Sequence, residues 1–385
     1  MAKDAFQVEE FMVERWMNTY ENDAIYNLAE TDAKPLTLHE LLTMGAPNQY
    51  LDGLLGLKVS YNPTLGSDHL RGLIAAQYQG VSSEDILVTS GAIEANFLLA
   101  NVLIQPGDTV IVQSPAYQAL YSVAQARGAQ VKHWVMQIKD QYQPDMDALA
   151  ALIDNRTKAV IINVPHNPTG AVISPENLRT ILAWAEEKNF WVICDEVYHD
   201  MAIEANVLPP HARSISQRAI SVGSLSKSFG LSGLRIGWIA ATPHLVEMCW
   251  KWKDYTSISV SSISDYLACI ALKEKNQIMA RNIPLARANR DKLHQWLSDH
   301  REHMEWVPSR VGLLNFPKFT DLPISTEALC LGIFKEKKVL LMPGEAFQHP
   351  GHLRIGYGND AQVFNHGLEI IDEYLVRIFS KGGIP

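Results

Sequence analysis

The segment that decides the fold is "SVGSLSKSFGLSGLRIGWIA", residues 221–240. Both of its ends have the composition of β-strands, and the loop between them holds one lysine, Lys227, among serines and glycines. A lysine in a partly apolar loop of small residues loses hydration, which lowers its pKa and favours the neutral amine as nucleophile and base. The segment therefore predicts a strand, a reactive loop and a second strand, with an ordinary surface lysine as the alternative.

Short apolar runs alternate with helical stretches on either side of this segment. The strand candidates are residues 86–90, 109–115, 130–136, 159–165, 190–196, 219–224 and 235–241, and the helix candidates between them are 93–104, 116–126, 146–153 and 175–188. Continuous apolar strands that alternate with helices are typical of a parallel sheet covered on both faces. We expect an α/β domain with a mostly parallel, seven-stranded sheet.

A second, smaller unit is predicted from the two ends of the chain. A helical stretch at 262–299 leads away from the large domain, and residues from about 300 onward mix short strands with a helix at 361–378. We expect a large domain at 46–285 and a smaller α+β domain formed by 1–45 and 286–385. In the first of these segments residues 5–20 have helical spacing, with Phe6 in the apolar stripe and Glu9 near its middle.

Composition excludes several classes of function. The 385 residues include 33 basic and 42 acidic side chains, giving a net charge of −9 without a long basic run, which argues against nucleic-acid or anionic-membrane partners. The four cysteines are scattered and have no ligand-spaced histidines, so neither a metal site nor a disulfide framework is indicated. With no signal-like N-terminus and no membrane-spanning apolar run, we expect a cytoplasmic protein.

Candidate functional residues lie where the predicted strands end, since ligands of such sheets bind beyond the carboxyl ends of the strands. Each residue also has an ordinary structural interpretation, such as a tight turn, a packing aromatic ring or a helix cap. The candidates are the turn Gly91, Ala92 and Ile93, which opens a helix and suits a phosphate; Tyr117; Asn167, whose following Pro168 invites a cis peptide; Asp195 and Tyr198; and Ser224, Ser226, Lys227 and Arg235. Their shared position at one sheet edge is more specific than any single member.

These residues resemble those of a known family, the pyridoxal 5'-phosphate (PLP) enzymes of fold type I, in the class I/II aminotransferase branch. The most specific motifs are "HNPTG" (166–170), "DEVY" (195–198) and "SLSKSFGLSGLRIG" (224–237), and the likeness extends from about residue 61 to residue 358. The resemblance implies a fold type I structure with PLP as cofactor.

The resemblance also implies a role for each matching residue. Lys227 would bind the cofactor and shuttle protons, and Asp195 would pair with the ring nitrogen, so that the ring acts as an electron sink. Asn167 and Tyr198 would bind the phenolic oxygen, Tyr117 would stack on the ring, and Ser224, Ser226, Arg235 and the N–H groups of Gly91, Ala92 and Ile93 would hold the phosphate. Arg354 would bind the substrate α-carboxylate. Tyr61 matches a residue that reaches the phosphate of the neighbouring subunit, which implies a homodimer.

The reaction has to be inferred from the substrate pocket, because this family runs several reactions on one scaffold. The segment "AETDAK" (29–34) places Glu30 and Asp32 where typical aminotransferases have a glycine-containing loop, and Glu9 precedes it. Three carboxylates would match a guanidinium or ammonium side chain. Their alternative interpretations are a solvated loop and, for Glu9, an acid in the first turn of a helix.

The local motifs resemble most closely the arginine-cyclising branch, which includes capreomycidine synthases and L-enduracididine-forming cyclodehydratases. This implies a cyclodehydratase that converts γ-hydroxy-L-arginine into L-enduracididine without a keto acid. The alternatives are an aminotransferase of a basic or aromatic amino acid and, from a different class, a regulatory sensor built on the PLP fold. The chain offers no room before residue 46 for the DNA-binding domain of such a sensor.

Overall fold

The computed structural model describes residues 8–381. Its N-terminal part consists mainly of α-helices with one short strand: α1 (Met12–Tyr20), β1 (Tyr26–Asn27), α2 (Leu38–Leu42), α3 (Pro47–Leu55) and α4 (Asp68–Ala75). Because α1 begins at Met12, the prediction of a helix from residue 5 is wrong over residues 8–11, and Glu9 is not helical. Phe6 lies outside the described residues.

A seven-stranded sheet forms the centre of the molecule, as predicted. Its strands are β2 (Ile86–Thr89), β3 (Thr109–Ser114), β4 (Gln130–Val135), β5 (Thr157–Asn163), β6 (Trp191–Asp195), β7 (Ala219–Ser224) and β8 (Gly237–Ala240), in the spatial order β2-β8-β7-β6-β5-β3-β4. Only β8 runs antiparallel to its neighbours, β2 and β7. The inner strands are buried along almost their whole length because helices cover both faces, which explains their continuous apolar sequences.

The covering helices are α5 (Ala92–Leu103), α6 (Ser122–Ala126), α7 (Met146–Leu152), α8 (Pro175–Lys188) and α9 (Pro243–Lys253). Local sequence sets their ends. In α8, Ser174 caps the first turn by accepting a hydrogen bond from the Asn177 N–H, Pro175 begins the helix, and Asn189 ends it in the left-handed conformation. The stretch predicted as one helix at 116–126 is instead a 3-10 turn, Gln118–Leu120, followed by α6.

The remaining elements follow α9 along the chain, and their short strands lie in small sheets separate from the central one. They are α10 (Ser262–Lys273), α11 (Lys275–Asp299), β9 (Met304–Glu305), β10 (Leu314–Asn315), β11 (Lys318–Phe319), α12 (Thr326–Lys337), β12 (Val339–Leu340), β13 (Met342–Pro343), β14 (Leu353–Gly356) and α13 (Ala361–Lys381). Strand β1 pairs in parallel with β12, so the N-terminal segment joins the C-terminal part of the chain. The domain limits at residues 46 and 285 stay a prediction.

Candidate active site

The loops after β2, β3, β5, β6 and β7 meet in one cavity of about 760 Å³, which the N-terminal segment and β14 complete. Thirteen of the predicted site residues line it: Glu30, Asp32, Ala92, Ile93, Tyr117, Asn167, Asp195, Tyr198, Ser224, Ser226, Lys227, Arg235 and Arg354. Gly91 lies directly behind, since a Cβ there would be 2.5 Å from Arg235 Nη2. The structure thus brings residues from across the sequence to one edge of the sheet.

Lys227 is paired with a carboxylate inside the cavity. Its Nζ donates to Asp32 Oδ1 at 2.5 Å. Burial lowers the pKa of Lys227, but the charge of Asp32 and this hydrogen bond raise it above its usual value. The prediction of a lowered lysine pKa is therefore wrong for the chain without cofactor, because sequence could not reveal which acid faces the amine.

Asp195 ends β6 as a buried carboxylate held by amides. Asn96 Nδ2 donates to its Oδ2 at 3.0 Å, and the Val197 N–H donates to its Oδ1 at 3.3 Å. Burial raises the pKa of Asp195 to about 6, and within residues 8–381 this carboxylate forms no ion pair. A buried carboxylate of this kind suits a cationic N–H from a bound group.

An anion could bind where β2 turns into α5. Gly91 has φ +82°, a conformation that favours glycine, and it opens the N-terminus of α5 with free N–H groups. Ser224, whose Oγ accepts from the Ser226 N–H at 3.2 Å, lines the same part of the cavity. Arg235 contributes a cation, and a Cβ on Gly237 would clash with the Gly91 backbone at 2.4 Å. The N-terminal dipole of α5, the hydroxyl groups of Ser224 and Ser226 and the guanidinium of Arg235 together fit a phosphate.

Two tyrosines and an asparagine complete the inner wall. The Tyr117 hydroxyl donates to Glu14 Oε1 at 2.6 Å, and the Tyr198 hydroxyl lies 2.7 Å from Thr31 Oγ1. Asn167 is buried, and the Asn167–Pro168 peptide is cis, as its sequence suggested. These groups offer a ring face and several hydrogen bonds to a planar, polar ligand.

Arg354 on β14 is buried at the same cavity. Its Nη1 donates to Asn167 Oδ1 at 3.1 Å and its Nη2 to the Ala29 carbonyl at 2.7 Å. Its Nε–H has no hydrogen-bond partner within the described part of the chain. A buried guanidinium with unused donor capacity is suited to bind a carboxylate through its planar fork.

Four carboxylates besides Asp195 line the cavity. They are Glu14, Glu21, Glu30 and Asp32. Burial and the neighbouring charge of Asp32 raise the pKa of Glu30. The Asn27 side chain holds the backbone of this segment by accepting from the N–H groups of Ala29 and Glu30, at 3.0 and 3.2 Å.

Glu9, in contrast, does not line this cavity. It is exposed, precedes α1 and accepts a hydrogen bond from Gln125 Nε2 at 3.3 Å. Glu14 and Glu21 were not among the predicted residues, because Glu9 was chosen for its place within the apolar stripe and these two residues lie beside that stripe. The sequence does contain a pattern that could have identified them. The residues that line the cavity from this segment, Glu14, Met17, Asn18 and Glu21, have the spacing i, i+3, i+4, i+7 of one helix face.

Tyr61 also lies away from the cavity of its own chain. It is 85% exposed, in the loop between α3 and α4. This position leaves its side chain free for a contact outside its own chain.

Comparison with known proteins places this geometry in a family. The family model for aminotransferase class I and II matches residues 57–371. The chain therefore belongs to the aminotransferase class I and II family, it has the fold type I aminotransferase fold, and its cofactor is PLP. The site fits that group, since it offers Lys227, a buried carboxylate without a cation and a phosphate cradle.

Three relatives are similar over almost the whole chain. Capreomycidine synthase from Streptomyces vinaceus is 30% identical over 356 residues, covering 91% of each chain. A crystal structure of a PLP-dependent aminotransferase from Streptococcus suis is 33% identical with a TM-score of 0.91, covering 96% of this chain and 98% of that one. A crystal structure of the PLP-dependent cyclase OrfR is 28% identical with a TM-score of 0.89 and the same coverage.

The described residues offer neither a membrane-spanning helix nor a metal-binding cluster. No helix among them is long and apolar enough to cross a membrane. They contain no group of three or more histidine, cysteine or acidic side chains placed to hold a metal ion.

Proposed function

We propose that this protein is a PLP-dependent cyclodehydratase that converts γ-hydroxy-L-arginine into the cyclic guanidino acid L-enduracididine. The observation that carries the proposal is the set of carboxylates, Glu14, Glu21, Glu30 and Asp32, in the same cavity as Lys227 and the buried Arg354. Arg354 accounts for the α-carboxylate of an amino acid, so the acidic residues are available for a cationic side chain. The similarity to capreomycidine synthase and to a PLP-dependent cyclase supports this assignment.

The proposed net reaction is the loss of one water. The γ-hydroxyl and one proton leave, and a terminal guanidine nitrogen forms a bond to Cγ, closing a five-membered ring. PLP supplies an electron sink that makes the hydrogens on Cα and Cβ acidic. No amino group leaves the substrate, so no keto acid is consumed.

The chain's own residues divide into those that would hold the cofactor and those that would hold the substrate. Lys227 would bind the cofactor and act as base, Asp195 would face the ring nitrogen, Asn167 and Tyr198 the phenolic oxygen, and Tyr117 the ring face. Gly91, Ala92, Ile93, Ser224, Ser226 and Arg235 would hold the phosphate. The positions of these residues around the cavity, with Gly91 against Arg235, and their match to the family motifs support these proposed roles.

Substrate binding would use both ends of the amino acid. Arg354 would take the α-carboxylate through its fork. Glu14, hydrogen-bonded to Tyr117, and the acidic residues of segment 28–34 would hold the guanidinium bent toward Cγ. Positioning the nucleophile in this way supplies much of the rate advantage of a ring closure.

The deciding experiment supplies the PLP-loaded enzyme with γ-hydroxy-L-arginine, or with L-arginine, without any keto acid. We expect a product one water lighter from the hydroxylated substrate alone, with PLP recovered unchanged. A keto acid formed together with one equivalent of pyridoxamine phosphate would refute cyclodehydration and establish the alternative, an aminotransferase. Lys227→Ala should abolish turnover and the absorbance of PLP bound to lysine.

We also propose that the enzyme is a homodimer in which Tyr61 reaches the neighbouring subunit's cofactor phosphate. Leu55 and Val59 lie close to Tyr61 in sequence and are exposed apolar side chains, and Tyr255, from a distant part of the chain, is exposed as well. Large apolar groups that remain this exposed favour an interface between subunits. Light scattering should give twice the mass of the chain.

A further inference from the structure

We propose that Gln118 is a specificity-determining residue, which holds the start of α1 in place so that Glu14 meets a cationic substrate side chain. The proposal deepens the proposed function and rests on its binding of a guanidinium by the cavity carboxylates. Gln118 is 4% exposed and belongs to the 3-10 turn that follows Tyr117. It does not line the cavity and acts through the helix, so it is a positioning residue.

Both ends of the Gln118 amide bind the backbone at the start of α1. Its Oε1 accepts from the Met12 N–H at 2.7 Å, and its Nε2 donates to the Glu10 carbonyl at 3.0 Å. Phe11, at the N-cap position, provides no side-chain hydrogen bond. The first N–H groups of a helix have no partner within it. A side chain from 106 positions away therefore supplies the cap that the local sequence lacks.

The residue before Gln118 holds Glu14. The Tyr117 hydroxyl donates to Glu14 Oε1 at 2.6 Å, and the centroids of the Phe11 and Tyr117 rings are 4.9 Å apart. Tyr117 and Gln118 together thus fix the start of α1 against the loop after β3. The ring that would face the cofactor and the carboxylate that would face the substrate are held at one separation.

The rest of α1 is anchored independently of Gln118. Val13 and Met17 are buried in the core, and the Trp16 Nε1–H donates to the Leu341 carbonyl at 2.8 Å. We therefore expect the helix to remain folded when Gln118 is replaced, with only its start loosened. Such a substitution displaces Glu14 without removing the charge of any residue in the cavity.

Exchange of the Cα hydrogen in D₂O measures substrate preference in the PLP-loaded enzyme. The two amino acids compared, below saturation, are L-arginine and L-norleucine, whose side chain is neutral. The wild type should exchange L-arginine at least about tenfold more efficiently, because a charge-assisted contact is available only to the guanidinium. Gln118→Met keeps the volume and loses both hydrogen bonds, so this preference should fall about tenfold while L-norleucine exchange stays within about threefold.

Two further variants complete the set. Gln118→Glu keeps the acceptor for the Met12 N–H and loses the donor to the Glu10 carbonyl, so it should retain part of the preference. Gln125→Met is the matched control, since Gln125 also donates to the N-terminal segment, but to the exposed Glu9 outside the cavity. It should leave both exchange rates unchanged.

The proposal is overturned if Gln118→Met lowers the exchange of both amino acids equally, which would show a structural role only. It is also overturned if the preference is unchanged in Gln118→Met, absent in the wild type, or equally reduced in Gln125→Met. The proposed function is tested separately, because cyclisation of γ-hydroxy-L-arginine by the wild type is not needed for this exchange.

Amide hydrogen exchange tests the contact itself, whichever reaction the enzyme catalyses. In the PLP-loaded protein, Gln118→Met should speed the exchange of the Met12 N–H by about tenfold or more, because its only acceptor is removed. Gln125→Met should not change it, and the amides around Met17 should keep their protection in both variants. Unchanged exchange at Met12 in Gln118→Met would refute the role of Gln118 as the cap of α1.

Discussion

Arg354 shows how a single residue connects fold and function. It is 4% exposed, and both of its terminal nitrogens donate hydrogen bonds to the wall of the cavity. Arg354→Lys keeps the charge but loses the fork, so the KM for the amino-acid substrate should rise by about 100-fold, as expected for the loss of two charge-assisted hydrogen bonds. Steady-state kinetics measures this change.

The matched control for that variant is Arg310→Lys. Arg310 is largely exposed and pairs with Glu204 at 2.8 Å, outside the cavity. It should leave KM unchanged. A KM that is equally unaffected in Arg354→Lys would show that the substrate carboxylate binds elsewhere.

Helix α1 presents acidic side chains to the cavity, and a substitution of Glu14 tests whether they bind the substrate's side chain. Glu14→Gln keeps an oxygen that can accept from the Tyr117 hydroxyl and removes only the charge. The KM for γ-hydroxy-L-arginine should rise about tenfold, because a charge-assisted bond is replaced by a neutral one. Inhibition by L-citrulline, whose side chain is neutral, should not change.

Glu9→Gln serves as the comparison for Glu14, since Glu9 is exposed and lies outside the cavity. It should have no effect on either measurement. Equal effects of the two substitutions would mean that α1 acts only through its overall charge.

Segment 28–34 depends on a second element, strand β14 and the turn after it. A Cβ on Gly356 would be 1.7 Å from the Glu30 carbonyl oxygen, and the Gly356 N–H donates to the Leu28 carbonyl at 2.8 Å. Gly356→Ala should therefore lower the free energy of unfolding by about 2 kcal/mol and reduce activity, because the acidic segment must move away. Thermal melting and turnover measure the two effects.

Gly72→Ala is the corresponding control in α4, where an added Cβ meets nothing within 4 Å. It should stabilise the protein by about 0.5–1 kcal/mol, since alanine favours a helix over glycine. Destabilisation by both substitutions would contradict the steric explanation for Gly356.

At the scale of the whole molecule, sequence predicted the sheet and the residues at its carboxyl edge. Strand ends are visible in sequence because a buried apolar run stops where polar residues begin, and Asp195 and Lys227 both follow such runs. The carboxylates that line the cavity, Glu14, Glu21, Glu30 and Asp32, were only partly predictable from the sequence. Glu30 and Asp32 sit in a distinctive segment, but Glu14 reaches the cavity through the register of a short helix.

Two features could not be read from the sequence at all. The Lys227–Asp32 pair joins residues 195 positions apart and depends on close backbone approaches at Gly230 and Gly358. The partner of Tyr117 likewise comes from a distant helix. Such contacts are decided by packing between elements, to which local patterns are insensitive.

Stability of the whole molecule without cofactor should depend on pH through Asp195. Burial raises the pKa of this carboxyl to about 6, from about 3.9 in an unfolded chain, so the folded state binds its proton more tightly. The stability contributed by that proton is fully present below about pH 4 and is lost as pH rises through about 6. Above that pH the folded protein holds an uncompensated buried charge, which the cationic ring nitrogen of PLP would neutralise.

Asp195→Asn removes that charge, and its amide oxygen can still accept a hydrogen bond from Asn96. Without cofactor at pH 8, the variant should be more stable than the wild type by about 1–2 kcal/mol, and the difference should vanish near pH 4. With PLP the order should reverse, because only the wild type gains the pairing with the ring nitrogen. Melting curves across pH, with and without PLP, measure both differences. A cofactor-free variant that is less stable than the wild type at pH 8 would show that hydrogen bonding to Asn96 and Val197 outweighs the cost of burying the charge.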